Sequence, residues 1–245
     1  MQGYAAAYAR QAMAYIGQII GYKAQWEEDG TRYMEKRNPG GYMFSNADLR
    51  RLIFPLIVEQ ILAVSVGMVD TMMVSSVGEA ATSGVSLVDM VNTLFINIFA
   101  AVATGGAVVS SQYLGQKRQD RACQSADQLL IITGILSLAI MAVCIVFRRE
   151  FLSLLYRGVA EDVMRNARTY LVISAVSYPF LSVYNSCAAL FRSMGNSKIS
   201  MQASIIMNMI NVIGDSIFIF IFRWGVAGAA LASLISRMAA CFILL

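Results

Sequence analysis

The chain has 245 residues, 58% of them apolar types and only 14% charged, with a formal net charge of +4. Ordinary soluble domains carry about 25% charged residues, so this chain is too poor in polar groups for a water-soluble enzyme and too apolar for a disordered segment. It contains no histidine, which excludes imidazole triads, imidazole proton relays and most zinc sites.

Residues 1–43 differ from the rest. Ala5–Trp26 is rich in Ala and Tyr with only Arg10 and Lys23 charged, too polar to span a bilayer. It reads as a cytoplasmic or interfacial helical extension, broken by Asn38-Pro39-Gly40-Gly41. Ser45 followed by Asp48 resembles a capping box with Asp in place of Glu, opening the lead-in to the first apolar run.

Six apolar runs follow over 44–245, at about 52–75, 85–113, 126–147, 170–191, 199–222 and 224–245. A stretch of about 20 apolar residues crosses a bilayer as a helix. The runs are too long for strands and lack period-2 alternation. The fold class is therefore all-α integral membrane with six transmembrane helices. In the segment after the third run, Phe151, Leu152, Leu154, Leu155 and Tyr156 suggest a short interfacial helix. Cys123, Cys144, Cys187 and Cys241 form no CxxC pair and read as small core hydrophobes.

The basic residues set the orientation. With the N-terminus inside, segments 1–51, 113–125 and 192–198 hold seven, three and two Lys or Arg. The outside segments hold none, five and one, the five being Arg148, Arg149, Arg157, Arg165 and Arg168. Twelve against six favours a cytoplasmic N-terminus and a multi-pass protein. Basic residues placed between apolar runs suit a membrane flank rather than a nucleic-acid face.

Ionisable groups inside a bilayer cost roughly 2.5–3.5 kcal/mol each and point to function. The runs contain Glu59, Asp70, Asp89, Asp215 and Arg237, together with Asn208, Asn211 and Ser233. At 1.5 Å per residue, Asp70 lies roughly 27 Å and Asp215 roughly 24 Å above the inner surface, with Glu59 at roughly 10 Å. Asn211 and Asp215 are one helical turn apart and share a face. Two carboxylates, an amide and the Ser233 hydroxyl make an oxygen-only set suited to a hard cation, or to a shared proton between the two acids. The bland alternative is that Asp215 bonds a neighbouring helix while Asp70 meets the interface. Asp89 falls near the outer end of the second run, within reach of water. Arg237 either pairs with an acid or reaches the inner headgroups.

Gly105-Gly106 and the Gly225–Ala230 stretch are small-residue faces whose usual meaning is close helix packing. Pro55 and Pro179 lie inside runs and each removes a backbone hydrogen bond, giving either a static kink or a bending point. No phosphate-binding loop and no nucleophile–base or metal set is present, so an enzyme is not expected.

In order along the chain, Pro55 with Val69-Asp70-Thr71-Met72-Met73-Val74, then Gly115-Gln116, then Phe191-Arg192-Ser193-Met194-Gly195-Asn196-Ser197-Lys198, then Asn211-Val212-Ile213-Gly214-Asp215, then Gly228-Ala229-Ala230-Leu231-Ala232-Ser233 resemble multidrug and toxic compound extrusion (MATE) transporters. The resemblance covers about 44–245. It implies an antiporter that expels cationic or amphipathic compounds through the plasma membrane, driven by Na⁺ or H⁺. It places the cation site on Asp70, Asn211, Asp215 and Ser233, where Ser stands for the family's usual Thr, with Na⁺ at Asp70, Asn211 and Asp215 if sodium is the ion. It links Pro55 to bending of the first helix. It also implies two six-helix lobes with the substrate cavity between them, so a C-terminal six-helix lobe is an expected partner alongside the lipid bilayer. No organic cofactor is implied, and Glu59 has no counterpart in the family's usual set. Two other readings of the same chain are a flippase for lipid-linked precursors, with a more cationic cavity, and a non-transporting structural membrane subunit.

Overall fold

The computed structural model describes residues 46–245. The extension expected over 1–43, its helix at Ala5–Trp26, the break at Asn38–Gly41 and the cap at Ser45 lie outside the described residues. Within 46–245 all regular structure is helical. The helices are α1 (Asn46–Ser75), α2 (Glu79–Gly115), α3 (Gln119–Val146), the short α4 (Arg148–Leu155), α5 (Glu161–Ser193), α6 (Ser197–Asp215) and α7 (Gly225–Leu244). After Asp215, α6 continues as a π-helical turn, Ser216–Ile221. All except α4 are long and apolar enough to cross a membrane, giving six candidate spans.

Most helices begin earlier than the apolar runs suggest. α2 starts at Glu79 rather than near 85, α3 at Gln119 rather than near 126, and α5 at Glu161 rather than near 170. Hydropathy marks where side chains are apolar, whereas the helix extends through polar turns at the interface. Each early start carries an acid in its first turn, Glu79, Asp120 or Glu161 with Asp162, where the helix dipole favours negative charge. Arg165 and Arg168, counted above in an outside segment between runs, therefore lie on α5, and Arg168 pairs with Glu161 at 2.9 Å. The expected interfacial helix exists as α4 but does not merely lie on the surface. Leu152 is fully buried against Val85, Val88 and Leu171, while Leu154 and Leu155 stay exposed.

α5 is the central element and packs on α2, α3, α6 and α7. One apolar cluster joins the end of α1, the starts of α2, α5 and α7, α4 and the π turn, around Val74, Val88, Leu171, Ile219 and Ala230. A second fills the other half of the bundle around Phe99, Cys144, Tyr178, Cys187 and Ala240. Cys144, Cys187 and Cys241 are buried, as expected for small core hydrophobes, whereas Cys123 is exposed, because it lies in the polar first turns of α3 before the apolar part of the helix begins. Polar contacts tie α3 to α5: the Ser182 hydroxyl donates to the Thr133 carbonyl and the Ser186 hydroxyl to Thr133 Oγ1, both at 3.0 Å.

The turn between α5 and α6 uses the Gly195 of the quoted motif. Its φ of 81° is a left-handed cap, with Asn196 N–H donating back to Phe191 O at 2.9 Å. Large apolar side chains such as Ile135, Val146 and Phe242 point outward, where lipid is the solvent that accommodates them.

Candidate cation site and cavity

Two helical stripes face one cavity. On α1, Glu59, Ala63, Gly67 and Asp70 recur at the spacing of a single helix face, and all line it. On α6, Ser204, Asn208, Asn211 and Asp215 do the same. α2 contributes Asp89 and Asn92, α5 contributes Tyr170, Tyr184 and Asn185, and α7 contributes Ser233 and Arg237. The cavity holds about 590 Å³, within the range of small-molecule sites.

Close backbone approach positions the α6–α7 side. A Cβ on Gly214 would lie 2.9 Å from Ala232 Cβ, and one on Gly228 would lie 2.9 Å from Phe218 Cβ. With glycine at both positions α7 settles against α6 and the π turn, so Ser233 comes beside Asn211. The Asn211 amide Nδ2 donates to Ser233 Oγ at 3.3 Å. A π turn directly after Asp215 resets the winding of α6, and such turns recur at functional sites. In the small-residue pair on α2, Gly106 packs on Leu129 of α3, whereas Gly105 faces open space.

The structure brings Asp70, Asn211, Asp215 and Ser233 to one cavity. The carboxyl groups of Asp70 and Asp215 lie within hydrogen-bonding reach of each other. Asp215 is 1% exposed. Both of its oxygens, and Oδ1 of Asp70, are buried without a hydrogen-bond donor. Two like charges about 4 Å apart repel by about 4 kcal/mol at an effective dielectric of about 20. A fully ionised pair is thus costly, and a bound proton or metal cation relieves it. Pro55 sits inside an unbroken α1, one turn before Glu59, and does not line the cavity.

Asp89, Asn208 and Arg237, conspicuous in the sequence but without assigned partners, share this space, and Asn92, Tyr170, Tyr184 and Asn185 join them without having been singled out. Asp89 is not simply held at a wet helix end. It accepts from Asn92 Nδ2 at 3.3 Å and is hydrogen-bonded to Tyr170. Asn92 Oδ1 in turn accepts the Tyr178 hydroxyl at 2.7 Å. Among the described residues Arg237 forms no ion pair; its Nη1 donates to Ser177 Oγ at 2.6 Å while it lines the cavity. The available signal was spacing, because Asp89, Asn92 and Ile96 share one face of α2, as Asn208, Asn211 and Asp215 share one face of α6. The cross-helix partners Tyr170 and Ser177 gave no such signal.

A family model described as MatE matches residues 55–217, more than half of the chain. The chain belongs to the MatE family. The uncharacterized transporter YisQ of Bacillus subtilis (strain 168) is 30% identical over 207 residues, covering 82% of this chain and 44% of that protein. The probable multidrug resistance protein NorM of Bacillus licheniformis is 26% identical over 196 residues, covering 78% and 43%. This MatE chain thus spans less than half the length of these curated relatives. In three dimensions it resembles an outward-facing multidrug resistance MATE family transporter of the MOP superfamily, with TM-score 0.76 and 21% identity over 80% of this chain and 43% of that one. At that identity the likeness establishes the fold: a MATE-type six-helix lobe in a multi-pass membrane protein.

Proposed function

We propose that this MatE chain forms one lobe of a secondary active multidrug exporter that antiports cationic or amphipathic compounds against Na⁺ or H⁺. The observation that carries the reading is the pair Asp70–Asp215, carboxyl groups from α1 and α6 of which both Asp215 oxygens and Oδ1 of Asp70 are buried with no hydrogen-bond donor. Asn211 and Ser233, which meet at 3.3 Å and line the same cavity, offer neutral oxygen ligands. If Na⁺ is the ion, these four residues present carboxylate, amide and hydroxyl oxygens, the ligand types a hard cation selects. If H⁺ is the ion, one proton held between the two carboxyl groups removes their repulsion.

Only a ligand with different affinity for two states shifts them. Cation uptake draws α1 toward α6, and cation loss lets α1 move away, with Pro55 supplying the bending point. The N-terminus is cytoplasmic in this reading, the membrane is the plasma membrane, and a second six-helix lobe completes the substrate cavity.

The cavity's charge favours a cation exporter over a flippase for anionic lipid-linked precursors. It is lined by four acids, Glu59, Asp70, Asp89 and Asp215, and one base, Arg237. The test is to express the gene in an efflux-deficient host and compare drug resistance for the wild type, Asp70→Asn and Asp215→Asn. Loss of resistance in both variants supports the reading; unchanged resistance in both overturns it.

A further inference from the structure

α1 is anchored near both ends and open between them. Along its span α1 is largely exposed, whereas α5 is largely buried. At one end Val74 is buried among Val85, Val88 and Ile219. At the other the contact is polar. The Glu59 carboxylate accepts from Arg192 Nη1 of α5 at 3.3 Å and from Ser200 Oγ of α6 at 3.5 Å. Among the described residues this is the one ion pair that joins two spanning helices, since Arg168–Glu161 lies within α5. Glu59 also lines the cavity that holds Asp70, three helical turns away on the same face.

We infer that Glu59 is a second exchange site for the monovalent coupling cation. A cation passing between the Asp70–Asp215 pair and the inner face replaces Arg192 at the Glu59 carboxylate, and this frees the inner end of α1 from α5 and α6. The inference rests on the cation-coupled reading above.

Four features support it. The polar stripe of α6 connects the two sites, since Ser200, Ser204, Asn208, Asn211 and Asp215 recur on one face. Between the sites, Tyr184 OH, Asn185 Nδ2 and Asn208 Nδ2 are buried without a sound hydrogen bond, and all three residues line the cavity. Tyr184 is only 4% exposed. Two of these groups are amide N–H donors and the third is a hydroxyl, so they call for water, whose oxygens can also hydrate a passing cation.

The present partner of Glu59 is also easily exchanged. Arg192 makes one contact rather than a bidentate pair, and both side chains are partly open to solvent. The single contact lacks the bidentate geometry that holds an arginine–carboxylate pair firmly, and a cation taking the guanidinium's place keeps the largely desolvated carboxylate neutralised. The charged or titratable groups facing Glu59 are Arg192 and Tyr184 of α5, while α6 presents the Ser200 hydroxyl. Pro55, one turn away, weakens the helix where α1 would swing.

Amide hydrogen exchange of the purified chain in detergent tests this, with NaCl titrated against choline chloride at constant ionic strength. A second arm titrates pH in choline chloride, corrected for intrinsic exchange. A coupling of ordinary size accelerates exchange over residues 52–66 by about fivefold or more as the cation binds. Glu59→Gln should exchange fast in every condition and lose the response, while Glu59→Asp should retain it. The arm that responds identifies Na⁺ or H⁺. No response at 52–66 in either arm, or a response that survives in Glu59→Gln, overturns the inference. The same data follow residues 208–216 separately: a response there abolished by Asp70→Asn with Asp215→Asn reports the primary site, so each idea fails on its own segment.

Discussion

Asp70 of α1 and Asp215 of α6 meet inside the bundle with carboxyl oxygens that no donor satisfies. Buried acceptors are nearly always paired, so this contact is unstable in its empty, fully ionised form and is quieted by a positive ion. The two helices are otherwise in slight contact here, which makes the pair a natural control point for α1.

Asp215→Asn removes one of the two negative charges and with it the need for the cation. The purified variant should melt higher than the wild type in sodium-free alkaline buffer, since about 1 kcal/mol of relieved repulsion shifts a domain of this size by about 2–4 °C. Its melting temperature should also stop responding to added Na⁺ or to acidification. Thermal unfolding in detergent with a choline control measures both effects. A variant that melts lower yet keeps the full response would refute the role given to the pair.

Ser233 supplies a hydroxyl that takes the Asn211 amide at 3.3 Å and lines the cavity of the two acids. Ser233→Ala should weaken cation binding by about tenfold, the equivalent of about 1.4 kcal/mol, while Ser233→Thr should stay near wild type. The midpoint of the cation-dependent thermal shift reports this directly.

Arg237 is the one base among four acids around the cavity. Replacing it by Gln makes the cavity more negative, so the cation midpoint should fall by about tenfold, the size of one unit-charge interaction across a wet cavity. The same titration measures it, and a rise in midpoint would contradict the electrostatic account.

Two glycines of similar sequence context should behave oppositely. Gly228→Ala places a Cβ 2.9 Å from Phe218 Cβ and 3.1 Å from its backbone, which cannot rotate away, so a loss of about 1–3 kcal/mol is expected. Gly105→Ala meets nothing within 4 Å and should be neutral, or stabilising by up to about 1 kcal/mol from helix propensity. Melting temperatures of the two variants decide it.

Much of the site was legible in the sequence because membranes make polar residues conspicuous. Asp70, Asn211 and Asp215 stand out against apolar neighbours, and the four-residue step from Asn211 to Asp215 already puts both on one face. Glu59 and Asp89 were equally visible, but their partners were not. Arg192 and Tyr170 lie in polar or helix-start contexts that look unremarkable until α5 is set between α1, α2 and α6. The helix starts were misjudged for a related reason: Glu79, Gln119 and Glu161 are helical through backbone hydrogen bonds and first-turn acids, which a hydropathy window does not register.

The sequence by itself determined six spanning helices, the all-α class and a short set of intramembrane acids, because in lipid every backbone polar group must be satisfied within its own segment and every charge is costly. Which acids face one another was decided only by tertiary structure. That choice depends on the rotation and spacing of helices, set by Gly214 and Gly228 at the α6–α7 crossing and by the burial of α5, and lipid-exposed and cavity-exposed faces of a membrane helix cannot be told apart by hydrophobicity alone.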